Sequence, residues 1–194
     1  MANLPENTAA VIHATREWLE KAVIGLHLCP FAKSVFVKGQ IRWIVSEART
    51  PEELLRDLQT ELHTLHTTAP EQVDTTLLIH PYVLADFLDY NEFLAEAEAV
   101  LDAAGLVGEI QIASFHPHYQ FADTAPDDIS NYTNRSPFPT LHLLREDSVT
   151  RAVEAFPETE KIFAANIETM QQLGHEGWKK LGLHGSENSS SATP

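Results

Sequence analysis

Apolar positions recur at helical spacing at the start of the chain and give way to short β-rich runs further on. Val11, Ile12, Thr15, Trp18, Leu19, Ala22, Val23 and Leu26 form one stripe, which predicts a helix over residues 8–28. Pro30 ends it, because the residue before a proline disfavours helix. A linker over 31–39 leads to a strand over 41–46. Thr50-Pro51-Glu52-Glu53 then opens a second helix, with Thr50 as cap, Pro51 at the first position and Glu53 completing a capping box. Its buried face carries Leu54, Leu55, Leu58, Leu62 and Leu65.

A strand over 75–80 stops at Pro81. A helix over 90–104 follows, with Asp89 and Glu92 at capping-box spacing and Gly105 as a left-handed stop. A third strand, 109–115, ends at His116-Pro117, and a fourth covers 140–145. Two helices close the pattern, at 148–156 and 159–173. The second places Ile162, Phe163, Ile167 and Met170 on its inner face and has Gly174 as its stop. The Ser-rich, apolar-poor tail from 183 onward predicts disorder.

Strands separated by helices imply right-handed crossovers and an α/β fold. The expected architecture is one domain over residues 1–182, a small mixed, mainly parallel four-stranded sheet packed with helices. The fourth strand, reached by a loop, is free to run either way. In such sheets ligands bind beyond the carboxyl ends of the strands.

Composition narrows the functional classes. The 194 residues suffice for one domain with a sizeable core. A net charge of −15 opposes nonspecific binding to nucleic acid or to an anionic membrane surface. A local basic pocket on an acidic surface still admits small anionic molecules, the partner class expected here. The single cysteine, Cys29, excludes an intramolecular disulfide and a Cys-rich metal site. The opening MANLPENTAA lacks the features of a signal peptide, and no run reaches the ~18 apolar residues of a membrane span. A cytoplasmic location is the expectation.

The candidate chemistry concentrates between Phe115 and Arg145. This stretch holds three His, three Asp, two Arg, two Asn and two Tyr in a segment poor in helix formers. Long connections inside a domain are usually functional or disordered, and this one is too rich in aromatics for disorder. Two strands end alike, in His80-Pro81-Tyr82 and in His116-Pro117-His118-Tyr119. Parallel strands put His80 and His116 at one rim. Each imidazole either works there or bonds a loop carbonyl. His116 and His118 form a candidate acid–base pair, since His titrates near neutral pH. Together with His80, His142 and a carboxylate they are also a candidate divalent-metal set, although the spacing is a weak signal. Asp127 and Asp128 are candidates to orient a His, or else simply form a turn and cap.

Asn134-Arg135-Ser136 is the best anion-binding candidate, because Arg offers a planar fork and its neighbours add neutral donors. Tyr119 and Arg145 complete the candidate substrate-binding set. An ion pair between Arg135 and Asp127 or Asp128 is the alternative. Cys29 is an optional nucleophile, disfavoured by its place at a helix C-terminus. There is no Walker loop, GxGxxG, HExxH or GxSxG, so no cofactor is expected from a standard motif.

Three separated segments, GLHLCPFA, SFHPHYQF and NYTNRSPFPTLHLLRE, resemble an uncharacterised bacterial family of similar length, catalogued as a domain of unknown function. The likeness covers about residues 8–181. It implies a bacterial cytosolic single-domain protein and brings no activity, substrate or catalytic residue.

Three functional readings follow from the residues. The first is an enzyme acting on a small anionic metabolite by His/Asp acid–base chemistry, in hydrolysis or group transfer. The second is a metal-dependent hydrolase or metal-binding protein using a His/Asp cluster. The third is a non-enzymatic ligand-binding or regulatory module.

Overall fold

Asn7 opens the first helix: its side-chain oxygen accepts the Ala10 N–H at 2.7 Å. α1 (Thr8–Trp18) then widens into a π-helix over Leu19–Ile24, and His27 turns the chain through a left-handed φ of 57°. The expected single helix over 8–28 therefore ends before Pro30. The structure, a computed structural model, describes residues 7–155 and 160–183. The tail beyond 183 and the junction at 156–159 lie outside the described residues.

The remaining order is α2 (Ala32–Val37), β1 (Ile41–Val45), α3 (Pro51–Thr67), β2 (Thr75–Ile79), α4 (Phe87–Ala103), β3 (Ile110–Phe115), β4 (Thr140–Arg145), α5 (Glu146–Ala155) and α6 (Glu160–Lys180). α2 occupies what the sequence predicts as linker. At α3, Thr50 accepts the Glu53 N–H as expected, while the Glu53 carboxylate reaches back to the N–H of Arg49 rather than Thr50. α4 starts earlier than predicted. Asp86, not Asp89, caps it by accepting from Leu88 and Asp89. Gly105 stops it at φ 71°, as expected. α6 continues past its predicted end, with a kink at Gly174 (φ 60°) instead of a stop. Met170 is buried there, but Phe163 is 62% exposed, contrary to its expected inner position.

The strands lie in the order β1-β2-β4-β3. β1 and β2 pair in parallel, whereas β2–β4 and β4–β3 are antiparallel. The sheet is therefore mixed and mostly antiparallel, not mainly parallel. The cause is the connection from β3 to β4. It lacks a crossover helix, so β4 returns at the same rim and inserts between β2 and β3. β2 and β3 still run in the same direction, and both present their carboxyl ends to the rim where that connection lies.

Helices cover both faces. Leu78, Leu141 and Leu143 point to α3 and α4, meeting Leu54, Leu58, Leu62, Tyr90 and Phe93. Leu77 and Ile79 point the other way, against Val11 of α1. Each such leucine is buried at a gain of roughly 1.5–3 kcal/mol, so these two layers hold the sheet between the helices. No described helix is long and apolar enough to cross a membrane.

Candidate functional site

Two His-Pro strand ends flank the start of β4 at the rim, on the face of the sheet that α4 covers. His80 and His116 are both fully buried. Tyr90 of α4 lies between them, with ring centroids 5.6 Å from His80 and 5.1 Å from His116. The Tyr90 hydroxyl donates to the Thr140 carbonyl at 2.9 Å, which ties α4 to the first residue of β4. Phe87 packs against both His116 and Tyr119.

Hydrogen bonds fix what these imidazoles can do. His80 Nδ1 lies 3.2 Å from the Val83 carbonyl, so that nitrogen carries the proton. Nε2 of His80 is buried with no partner among the described residues. His116 accepts the His118 N–H at Nδ1 and meets the Leu84 carbonyl with Nε2. Both its nitrogens are thereby engaged by backbone. The two histidines together hold the turn at 83–84, where Leu84 adopts φ 58°. Burial holds both bases neutral, with pKa values near 3 for His80 and near 4 for His116. The proximity of the two rings adds to the effect at His80, and His118 adds to it at His116.

The connection over 116–139 is built on its own polar side chains. Asn131 is fully buried. Its Oδ1 accepts from the Phe121 N–H and the Thr124 hydroxyl, and its Nδ2 donates to the Ala125 carbonyl. Asp128 caps the 3₁₀ turn Ile129–Thr133 by accepting the Ser130 N–H, and that bond lowers its pKa. Asn134 covers the outer edge of β3, donating from Nδ2 to Ser114 and accepting the His116 N–H at its carbonyl. Ser136 is buried and donates to the Phe138 carbonyl. Of these, Asn131 was not among the expected residues. Nothing distinguishes it in the sequence from the other Asn and Asp around it, and only burial reveals its place.

Arg135 is the exception in this loop. Its Nε donates to the Tyr119 carbonyl at 3.3 Å and its Nη2 to the Pro126 carbonyl at 2.6 Å. The guanidinium carbon stands 4.1 Å from the centroid of the Tyr132 ring. No carboxylate pairs with it among the described residues, and the expected alternative of an ion pair to Asp127 or Asp128 is not formed. Tyr132 is in turn flanked by His175 and Trp178 of α6. His118 is exposed, with its ring 5.8 Å from that of His116, and it precedes the residue whose carbonyl Arg135 holds. Asp127 is exposed beside Pro126.

Other expected residues lie elsewhere. Arg145 is at the opposite end of β4, where its guanidinium takes the carbonyls of Leu65, Thr68 and Val73 and closes the C-terminus of α3. His142 projects from the other face of the sheet. Its Nε2 is 2.7 Å from the Thr75 hydroxyl, and burial lowers its pKa to about 4. The four histidines weighed as metal ligands thus do not converge. No group of three or more His, Cys, Asp or Glu is placed to hold a metal among the described residues. Cys29 packs at the edge of the cluster of Trp18, Leu19, Ala22 and Val23, and burial raises its thiol pKa. It makes no hydrogen bond to a His or Arg among the described residues.

The site as assembled is therefore a rim of buried neutral imidazoles and aromatics beneath a self-bonded loop, with Arg135 and His118 toward its outer surface. No curated protein and no solved structure matches the chain. Residues 10–180 match a family described as a protein of unknown function, DUF1415. With nearly the whole described chain spanned by that match, the protein belongs to this family.

Proposed function

We propose that the protein is an enzyme acting on a small anionic metabolite, with Arg135 as the anion anchor and His118 as the proton-transfer group. One observation carries the reading. In a chain with 28 acidic and 13 basic residues, Arg135 is fixed by two neutral carbonyls and an aromatic face and forms no ion pair among the described residues. A guanidinium so placed retains its charge and its planar fork for a carboxylate or phosphate. His118, exposed at the surface, suits proton transfer better than the buried His116, whose base is weakened by burial. Asp127 is the preferred carboxylate candidate, since Asp128 is committed to a cap. Hydrolysis or group transfer fits these groups.

The test is a thermal-shift screen of phosphorylated and carboxylated metabolites, followed by turnover assays on the compounds that stabilise the protein. Arg135→Gln is expected to abolish the shift. His118→Ala is expected to keep it and lose turnover. Stabilisation that survives in Arg135→Gln removes the anchor, and full turnover in His118→Ala removes the acid–base role. A second reading, a non-enzymatic small-anion binding module, is favoured by the structural use of His80 and His116. It predicts shifts without turnover in the unmodified protein.

A further inference from the structure

The two outer strands of the sheet are treated differently. The edge of β3 is covered at its carboxyl end, where Asn134 bonds Ser114 and His116. β1, the other edge strand, has no such cover among the described residues. The Ser46 N–H goes to the Ile79 carbonyl, and the Gln40 carbonyl takes the Asp74 N–H. Pairing alternates along a parallel ladder, so the even-numbered residues of β1 face β2. The N–H and C=O groups of Ile41, Trp43 and Val45 consequently point outward, with no partner among the described residues. Such a row is a ready template for another strand.

A concavity of about 480 Å³ runs beside this edge, between β1 and the outward flank of α3. Its floor includes Ile44, Val45 and Ala48, and its wall carries Glu47, Glu53, Arg56, Asp57 and Glu61. Glu61 is matched by Arg42, whose Nε lies 2.6 Å from it. Glu47, Glu53 and Asp57 remain against the single positive charge of Arg56, a net acidic wall.

We propose that the open edge of β1 is a docking site for an extended, basic peptide segment, which adds a strand to the sheet and lays its lysine or arginine side chains along α3. Main-chain bonds supply affinity in this mode, and alternate side chains supply specificity. Charge selects the occupant. A second copy of the chain, itself at −15, brings the same acids to the same wall, and like charges there oppose pairing.

The experiment uses the full chain and a fluorescein-labelled eight-residue peptide of alternating valine and lysine, read by anisotropy. Binding is expected at low salt and is expected to weaken as salt rises. The valine–glutamate counterpart is expected not to bind. N-methylation of alternate residues, on the edge that meets β1, is expected to weaken binding at least about tenfold, because the main-chain donors are lost. Glu47→Lys is expected to weaken it about severalfold, in keeping with a partly exposed charge. Val45→Pro deletes an outward N–H while sparing the β1–β2 ladder, and is expected to abolish binding. Should that variant fail to fold, the N-methylated peptide and Glu47→Lys decide the matter. Equal binding of the glutamate peptide, or of the N-methylated one, overturns the proposal. So does a concentration-dependent dimer in sedimentation that Glu47→Lys strengthens, because the occupant is then a second copy.

Discussion

Two buried histidines and a third, partly buried one, all held neutral, make the stability of this protein depend on pH in a calculable way. His80, His116 and His142 have folded pKa values of about 3, 4 and 4, against about 6.5 for an unperturbed imidazole. The folded chain therefore binds fewer protons than the unfolded one between these limits, and stability rises with pH. The contribution is fully present above pH 6.5 and is lost as pH falls toward 4. pH 4.5 lies about two units below the pKa of the unfolded imidazole, so each histidine costs on the order of 3 kcal/mol there. Carboxylates titrate at the acid end of this range too: Asp128, whose folded pKa is lowered, adds to the loss on acidification, while neutralising part of a −15 charge relieves repulsion and opposes it. A comparison of variants cancels that background. His142→Gln keeps a polar partner for the Thr75 hydroxyl and removes one titration. Urea denaturation between pH 4.5 and 6 is expected to give a slope of stability against pH shallower than wild type by on the order of 1 kcal/mol per pH unit. Parallel slopes would refute the assignment of a neutral imidazole at that position.

Tyr90→Phe removes the buried bond to the Thr140 carbonyl and is expected to cost about 1–2 kcal/mol in chemical denaturation, with no change in denaturant slope. Leu58→Ala and Leu62→Ala empty fully buried positions on the inner face of α3, with an expected loss of about 3–5 kcal/mol each by the same assay. Asn131→Ala strips the loop of its buried hub, and hydrogen exchange is expected to show faster exchange at Phe121 with β2 unaffected. Arg145→Met uncovers the carbonyls at the end of α3. A drop in melting temperature corresponding to about 2 kcal/mol is expected, without change in any anion response.

Periodic burial was readable along the chain, and special local geometry was not. Leu54, Leu58, Leu62 and Leu65 repeat at helical spacing and are all buried, and β4 has its predicted limits because its apolar run is bounded by Pro139. α2 escaped notice because six residues after a proline are too few to show a period. The cap of α4 was misplaced because Leu88, 70% exposed, breaks the amphipathic pattern just where the helix begins. Strand order escaped for a different reason. Helical crossovers fix the relative direction of β1, β2 and β3, but nothing in their residues says that β4 inserts between the last two. At the rim, the repeated His-Pro correctly marked two equivalent strand ends. Whether an imidazole there serves a ligand or a backbone carbonyl depends on the turn at Leu84, whose left-handed φ has no glycine to announce it.

The arginines show how the same side chain comes to hold a fold in one place and remain available in another. Arg42 has a carboxylate, Glu61, in bidentate reach. Arg145 has the carbonyls at and just after the end of α3, the negative pole of a helix dipole, and so meets an opposing charge in distributed form. Arg135 has two carbonyls as well, but they belong to Tyr119 and Pro126, outside any helix, and its remaining contact is a ring face. Carbonyls of that kind orient a guanidinium without cancelling its charge. The surrounding polar side chains cannot cancel it either. Asn131, Asn134 and Ser136 are engaged with backbone groups of a connection that has no ladder of its own over most of its length. A long loop over a sheet end consumes its amides and hydroxyls in this way, and the group left with unmatched charge is the one that a small anion would meet.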